Sequence, residues 1–231
     1  MGEYDKAEEA FRAALEHARP MRLRQVMAPV TSALASIAMM RDDFETAERW
    51  LADAQRYADE VPFAGSQGMV RNAQGRLARL RGDLDEALRL HRDAVDLYQQ
   101  GDTHGYLAYS HSCAGFTEEM MGNLDAARSH HLAALDHARK TGDVFATALA
   151  LEGMGATLIA AGDLAQGVGL LSAGLAAREV AGAPLPSGER LDVDRALETA
   201  AAGLTVAALE KAIKAGRNLG IDAAVEMAFA D

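Results

Sequence analysis

The sequence repeats itself every 40 residues, and this periodicity constrains the fold more than any other feature. Five segments, which start at residues 2, 42, 82, 122 and 162, read GEYDKA, DDFETA, GDLDEA, GNLDAA and GDLAQG. Each begins with Gly or Asp, which can adopt the left-handed conformation that ends a helix, and continues with Asp, Asn or Glu, which can cap the next helix. The periodicity therefore predicts a stacked array of helix pairs.

Small residues recur at three places in each repeat. The motif itself ends in the first of them, at Ala7, Ala47, Ala87, Ala127 and Gly167. The second series lies in the preceding helix, at Ala35, Gly75, Gly115 and Gly155. The third lies further along the following helix, at Ala14, Ala54, Ala94, Ala134 and Gly174. Because glycine inside a helix costs about 1 kcal/mol relative to alanine, we infer that close packing between helices accounts for the repetition.

These three series resemble the pattern of the tetratricopeptide repeat, whose unit is a pair of antiparallel helices. The resemblance covers residues 1–181 and implies an all-α, right-handed helical solenoid, or αα-superhelix, with repeats lengthened from ~34 residues. The aromatic residue typical of the first helix is replaced by Thr31, Arg71, His111 and Leu151. The proline typical of the repeat's end is replaced by Arg19, Asp59, Gln99 and Arg139.

The period also predicts where the helices lie. Second helices are expected at about 5–19, 44–60, 84–100, 124–140 and 164–180, and first helices at about 22–40, 65–81, 105–121 and 145–161. The array opens with a second helix that lacks its partner, so we expect missing residues upstream. Three regions result: repeats with an incomplete first unit at 1–181, a Pro/Gly loop at 182–190, and a C-terminal helical cap of about three shorter helices at 191–231.

Composition excludes several classes of protein. The 34 acidic against 23 basic residues would repel a phosphate backbone, so we expect no direct contact with nucleic acid. The single cysteine, Cys113, excludes an internal disulfide framework. Because no uninterrupted apolar run reaches the roughly 18–20 residues of a membrane helix and the first residues are acidic, we expect a cytoplasmic protein without a membrane segment.

Motifs of catalysis and cofactor binding are absent from the sequence. It contains no GxxxxGK[ST] loop and no HExxH motif, and Ser66 in AGSQG fits a helix cap. We therefore predict no catalytic residue and no cofactor. An enzyme that uses the histidines with Glu118, Glu119 or Glu152 is the alternative, and it requires these side chains to be close together in the fold.

The histidines concentrate in the middle of the chain. His91 and His131 lie at equivalent positions one repeat apart, where we expect each to fill a packing position with one ring nitrogen hydrogen-bonded. His104, His111 and His130 fall in the same region. No two of these are spaced i, i+4 within one helix, so we predict no metal site.

A candidate binding surface lies on the first helices of the repeats. The helix between Ser66 and Gly82 carries four arginines, at Arg71, Arg76, Arg79 and Arg81. The resemblance implies that the first helices line a concave groove, whose positions map onto Asn72, Arg76, Arg79, Tyr109, Ser112, Phe116, Glu119 and Glu152. Guanidinium groups there suit a protein or peptide partner or a small anionic ligand. A solvated or salt-bridged face is the alternative.

The last part of the sequence carries a second resemblance. GDLDEALRLHRDAVDLYQQGD, GNLDAARSHHLAALDHARKTGD and the tail LEKAIKAGRNLGIDAAVEMAF are similar to the helical region of large actinobacterial transcriptional regulators of the LuxR and MalT-like type. An aromatic usual in that tail is replaced at Ala208 and Leu209. The resemblance implies a sensory or interaction segment with an ATPase domain before it and a DNA-binding domain after it. The alternative is a stand-alone adaptor, and both are compatible with a homodimer.

Overall fold

The chain forms two compact units of helices. The computed structural model describes residues 3–61, 63–100, 103–182, 185 and 187–230. These residues fold into an N-terminal unit, Met1–Thr103, and a C-terminal unit, His104–Asp231. No strand occurs among them. The predicted fold class, an all-α, tetratricopeptide-like helical solenoid, is confirmed by their arrangement in antiparallel helix pairs.

The N-terminal unit contains one unpaired helix followed by two helix pairs. Its helices are α1 (Glu3–Ala18), α2 (Arg24–Met39), α3 (Phe44–Asp59), α4 (Ala64–Leu80) and α5 (Leu84–Gln99). Helix α2 packs on α3, α4 packs on α5, and α1 packs on α2. Apolar side chains of α1 to α4 meet in a buried core that includes Leu15, Met27, Leu34, Tyr57 and Val70.

The C-terminal unit contains two helix pairs and three further helices. Its helices are α6 (His104–Met120), α7 (Leu124–Thr141), α8 (Val144–Ala161), α9 (Leu164–Val180), α10 (Ser187–Gly203), α11 (Val206–Asn218) and α12 (Ile221–Phe229). The last three pack mainly on α8 and α9. All helices of the repeats begin and end within two residues of their predicted positions.

The joints between the paired helices have the predicted left-handed residues. Positive φ angles of 83°, 81°, 101° and 57° occur at Gly82, Gly122, Gly162 and Asp42. The carboxylates of Asp43 and Asp83 then accept hydrogen bonds from backbone N–H groups of the next helix, at 3.0 and 3.3 Å. Asn123 and Asp163 depart from the prediction, because neither side chain caps the helix that follows; Asn123 donates instead to Glu118 at 2.9 Å.

The small residues of the repeat allow helix backbones to touch. In the pair α8 and α9, a Cβ atom on Gly155 would lie 2.6 Å from the carbonyl oxygen of Gly167. A Cβ atom on Gly174 would lie 2.8 Å from the carbonyl oxygen of Ala148 in the same pair. Such distances are far inside van der Waals contact, so only glycine permits this approach. The inference that close packing retains the glycines is confirmed for this pair.

Helix α8 has the length and composition of a membrane-crossing helix. Of its 18 residues, 72% are buried within the structure, and the helix carries the charged residue Glu152. A core helix that is covered on most sides has the same apolar composition. Contacts with α7, α9, α10 and α12 explain the apolar composition of α8.

Substitution at two glycines of this helix pair tests the close approach. We expect Gly155→Ala to lower the free energy of unfolding by about 1–3 kcal/mol, because the new methyl group displaces the backbone of α9. Gly169→Ala is the matched control on α9, where a Cβ atom meets nothing within 4 Å. It should raise the free energy of unfolding by about 0.5–1 kcal/mol. Urea denaturation measures both; equal effects of the two variants would contradict the packing argument.

Candidate functional site

Three of the predicted groove residues lie on α4 in the N-terminal unit. Arg76 and Arg79 are half-buried and stand one helical turn apart. Asn72 is buried, and its Oδ1 atom lies 3.2 Å from Nδ1 of His91 on α5. Asn72 therefore stabilises the packing of α4 on α5 and is not presented as a surface residue.

The other two arginines of the α4 region have partners within the N-terminal unit. Arg71 donates to the side-chain oxygens of Gln55 and Gln74, at 2.8 and 2.9 Å. Arg81 donates to Glu48 at 3.0 Å. Arg71 and Arg81 are therefore bound within the unit, and Arg76 and Arg79 also interact with other groups of the protein.

The remaining groove residues lie in the C-terminal unit, where most are buried. Tyr109 is half-buried against an apolar cluster, while Ser112 and Phe116 lie inside the unit. Glu119 is 7% exposed, and its two carboxylate oxygens accept hydrogen bonds from Arg195 of the cap at 2.8 and 2.6 Å. The expectation that these side chains face an open groove is thus corrected: they pack the interior or bind a cap helix.

Glu152 forms the most buried ion pair described in the structure. Nε and Nη2 of Arg178 donate to its two carboxylate oxygens at 2.6 and 2.9 Å, and both side chains are 1% exposed. The guanidinium of Arg178 also lies 4.3 Å from the ring centroid of Phe145. Charges buried this deeply require such pairing. Sequence reasoning missed Arg178, although a lone arginine among the apolar residues of α9 was a usable signal.

The alternative of acid–base catalysis is not supported by the positions of the glutamates. Glu119 and Glu152 are bound by arginines, and Glu118 accepts from Asn123. In the described part of the chain, no group of three or more His, Cys, Asp or Glu side chains surrounds a point where a metal ion could bind.

His91 and His131 fill the spaces that glycines leave in the facing helix. A Cβ atom on Gly75 would lie 2.6 Å from Cε1 of His91, and one on Gly115 would lie 2.5 Å from Cε1 of His131. Both rings are fully buried. As expected, His91 has one ring nitrogen hydrogen-bonded, and Nδ1 is the donor because the carboxamide oxygen of Asn72 can only accept.

His131 lacks the hydrogen bond that the sequence predicts. Ser112 occupies the position equivalent to Asn72, and its shorter side chain leaves both its own Oγ and the two ring nitrogens of His131 without a hydrogen-bond partner. The ring instead meets the edge of Phe116, with centroids 5.2 Å apart. Burial, together with His130 and His111, lowers the pKa of His131 from 6.5 to about 3. The imidazole is therefore neutral at neutral pH.

Four other histidines form a continuous row between α6 and α7, which we call the histidine ladder: His104, His111, His130 and His137. His104 and His137 approach with their Nδ1 atoms 2.9 Å apart, and the Nδ1 atoms of His111 and His130 are 3.0 Å apart. The rings of His111 and His137 stack between the two pairs, with centroids 5.7 Å apart. All four side chains are partly buried.

Two rings of the ladder, His111 and His137, favour the uncharged form. Burial, followed by the neighbouring His130 and His137, lowers the pKa of His111 from 6.5 to about 4. Burial also lowers the pKa of His137, with further contributions from Lys140 and His104, against which Asp136 acts in the opposite direction. Within each pair, one Nδ1 must donate its hydrogen to the other. Each pair therefore brings two ring nitrogens of facing helices to hydrogen-bond distance.

The sequence predicted part of this arrangement. It placed His104, His111 and His130 in one region but missed His137. The signal was present, because His104 and His111, like His130 and His137, are seven residues apart and so lie on one helix face. Spacing of i, i+4 identifies residues that are close within one helix, whereas the ladder pairs form between two antiparallel helices.

Comparison with known proteins agrees with the fold. Residues 26–100 match the tetratricopeptide repeat family. The crystal structure of BtubC (BKLC) from P. vanneervenii is similar over 100% of this chain and 91% of that chain, with a TM-score of 0.62 and 16% sequence identity. At that identity the likeness shows the fold alone. No protein of curated function matches the sequence significantly.

Restoring the polar partner of His131 should stabilise the C-terminal unit. We expect Ser112→Asn to raise the free energy of unfolding by about 1 kcal/mol, because a carboxamide oxygen at this position can accept from His131 as Asn72 does from His91. The same substitution in a His131→Leu background is the control, since no donor is left there. Urea denaturation of the four proteins completes a double-mutant cycle; an equal gain in both backgrounds would exclude the hydrogen bond as the cause.

The buried histidines should make stability depend on pH. In chelator-treated buffer, the unfolded chain binds protons below pH 6.5, whereas folded His111 and His131 bind them only near pH 4 and pH 3. The melting temperature should therefore fall as pH drops from 6.5 through about 4. His131→Leu should flatten this dependence, and His17→Gln, which changes an exposed histidine of α1, should leave it intact. Identical profiles for all three proteins would contradict the assignment.

Proposed function

We propose that this chain is a non-catalytic interaction module that binds an acidic peptide segment of a partner protein through α4. Repeats of the tetratricopeptide type generally mediate protein–protein interaction, and residues 26–100 match that family. The observation that carries the proposal is the position of Arg76 and Arg79. They place two half-buried guanidinium groups on successive turns of a first helix.

Charge supports an anionic ligand at this place. The chain as a whole has a net charge of -11, so an acidic partner is repelled from most of its surface. Two adjacent arginines offer a local exception, and planar guanidinium groups bind carboxylates in a fixed geometry. A small anionic ligand would meet the same chemistry, but a peptide can also contact the flanking turns of α4. We therefore favour the peptide.

We further propose that the module acts in the cytoplasm within a larger transcriptional regulator of the LuxR and MalT-like type. Support comes from the similarity of the last helices, α11 and α12, to the tail of such regulators. In that setting the module reports whether a peptide is bound at α4 to an ATPase domain and a DNA-binding domain on the same polypeptide. A stand-alone adaptor with the same binding surface is the second candidate.

Charge reversal on α4 tests the binding proposal. A displayed library of random peptides, selected on the immobilised protein, should yield peptides rich in Asp and Glu. Arg76→Glu with Arg79→Glu should weaken the best such peptide at least about tenfold, because two charge-assisted hydrogen bonds are lost. Circular dichroism checks that the variant keeps the helical content of the parent protein.

A matched variant tests whether the loss of affinity is only a general effect of net charge. Arg49→Glu with Arg92→Glu changes the net charge equally on α3 and α5, which are second helices of the same unit. This variant should keep the affinity of the parent protein. Equal losses in the two variants, or selected peptides without acidic residues, would refute the assignment to Arg76 and Arg79.

The size of the native product separates the regulator from the adaptor. An immunoblot of the source cells with antibodies against this chain should show a band far above 24.5 kDa if the module belongs to a multidomain regulator. A single band at 24.5 kDa would favour the adaptor and overturn the regulator proposal.

A further inference from the structure

We propose that the histidine ladder binds divalent transition metal ions of the class that prefers imidazole ligands, namely Zn²⁺, Ni²⁺ and Cu²⁺. The site lies between α6 and α7 in the C-terminal unit and is separate from the proposed peptide surface on α4. Each of its two histidine pairs supplies one ligand from each helix. A bound ion would therefore link the two helices of this pair.

The distances within the pairs carry the proposal. The Nδ1 atoms are 2.9 Å apart in His104 and His137 and 3.0 Å apart in His111 and His130. Two zinc–nitrogen bonds of about 2.0–2.1 Å at a tetrahedral angle place their nitrogens roughly 3.3–3.4 Å apart. Each pair thus has to open by only a few tenths of an ångström. The ion replaces the single hydrogen that now bridges the two nitrogens.

The ladder does not follow from the repeat itself. One repeat earlier, the positions equivalent to His104, His111, His130 and His137 hold Ala64, Arg71, Leu90 and Leu97. Apolar side chains and an arginine therefore satisfy the packing of this fold at the same places. In contrast, the packing histidine at position 91 recurs at 131. Four imidazoles in one row are a property of the pair α6 and α7.

The chemistry of the row selects the kind of ion. Its ligands are imidazoles, which suit Zn²⁺, Ni²⁺ and Cu²⁺ and not the oxygen-seeking Mg²⁺ or Ca²⁺. Among the described residues no three ligating groups already surround one point. We therefore assign two protein ligands to each ion and water to its remaining positions.

Calorimetric titration with zinc chloride and nickel chloride at neutral pH tests the site. We expect saturable binding of up to two ions per chain and a rise in the melting temperature with metal concentration. His111→Gln with His137→Gln removes one ligand from each pair and should abolish both effects. His17→Gln, which changes an exposed histidine of α1, should preserve them. Equal binding by the ladder variant and the parent protein, or no saturable binding by the parent, would overturn the proposal.

Nuclear magnetic resonance of the unaltered protein provides a measurement that does not depend on the variants folding. Zn²⁺ should shift the ring signals of the four ladder histidines and leave those of His17 and His91 in place. Mg²⁺ at the same concentration should shift none of them. Shifts confined to His17, or spread equally over all histidines, would show adventitious surface binding and refute the ladder as the site.

Discussion

The close approach of the two helices in each pair is the constraint on which the rest of this structure depends. At Gly155 and Gly167 the backbones touch directly, because neither residue has a side chain to separate them. At Gly75 the space is occupied instead by the ring of His91. A small residue at the same place in every repeat therefore permits two solutions, contact between backbones or insertion of a flat side chain. Both keep the helices paired at close range.

Polar rings and charged groups that are buried in this interior require hydrogen-bond or ion-pair partners. Asn72 is the hydrogen-bond partner of His91, and Arg178 forms the ion pair with Glu152. The ring nitrogens of His131 have no hydrogen-bond partner, because the side chain of Ser112 is too short to reach the ring. One fold thus tolerates three electrostatic situations at equivalent depth: a neutral hydrogen bond, a buried ion pair, and an isolated neutral imidazole.

Periodic features of the molecule could be predicted from the sequence, whereas pairwise contacts across elements could not. Helix positions and the left-handed joints follow from the spacing of the motif residues, which is the same in every repeat. The roles of Glu119 and Glu152 depend on arginines in other helices, Arg195 of α10 and Arg178 of α9. The expected groove assumed that first-helix residues are exposed, and it therefore misplaced side chains that these arginines cover.

The bond between Glu119 and Arg195 joins residues 76 positions apart, whereas each helix pair is formed by neighbours in the chain. Chain segments that are close in sequence meet first, because closing a short loop costs less entropy. The hairpins of α6 to α9 can therefore form before the cap helices dock. Until Arg195 arrives, the carboxylate of Glu119 remains hydrated and the apolar face of α8 stays open. Docking of the cap thus makes unfolding of the C-terminal unit cooperative. A terminal cap has the same effect on a linear array, whose repeats would otherwise unfold one by one.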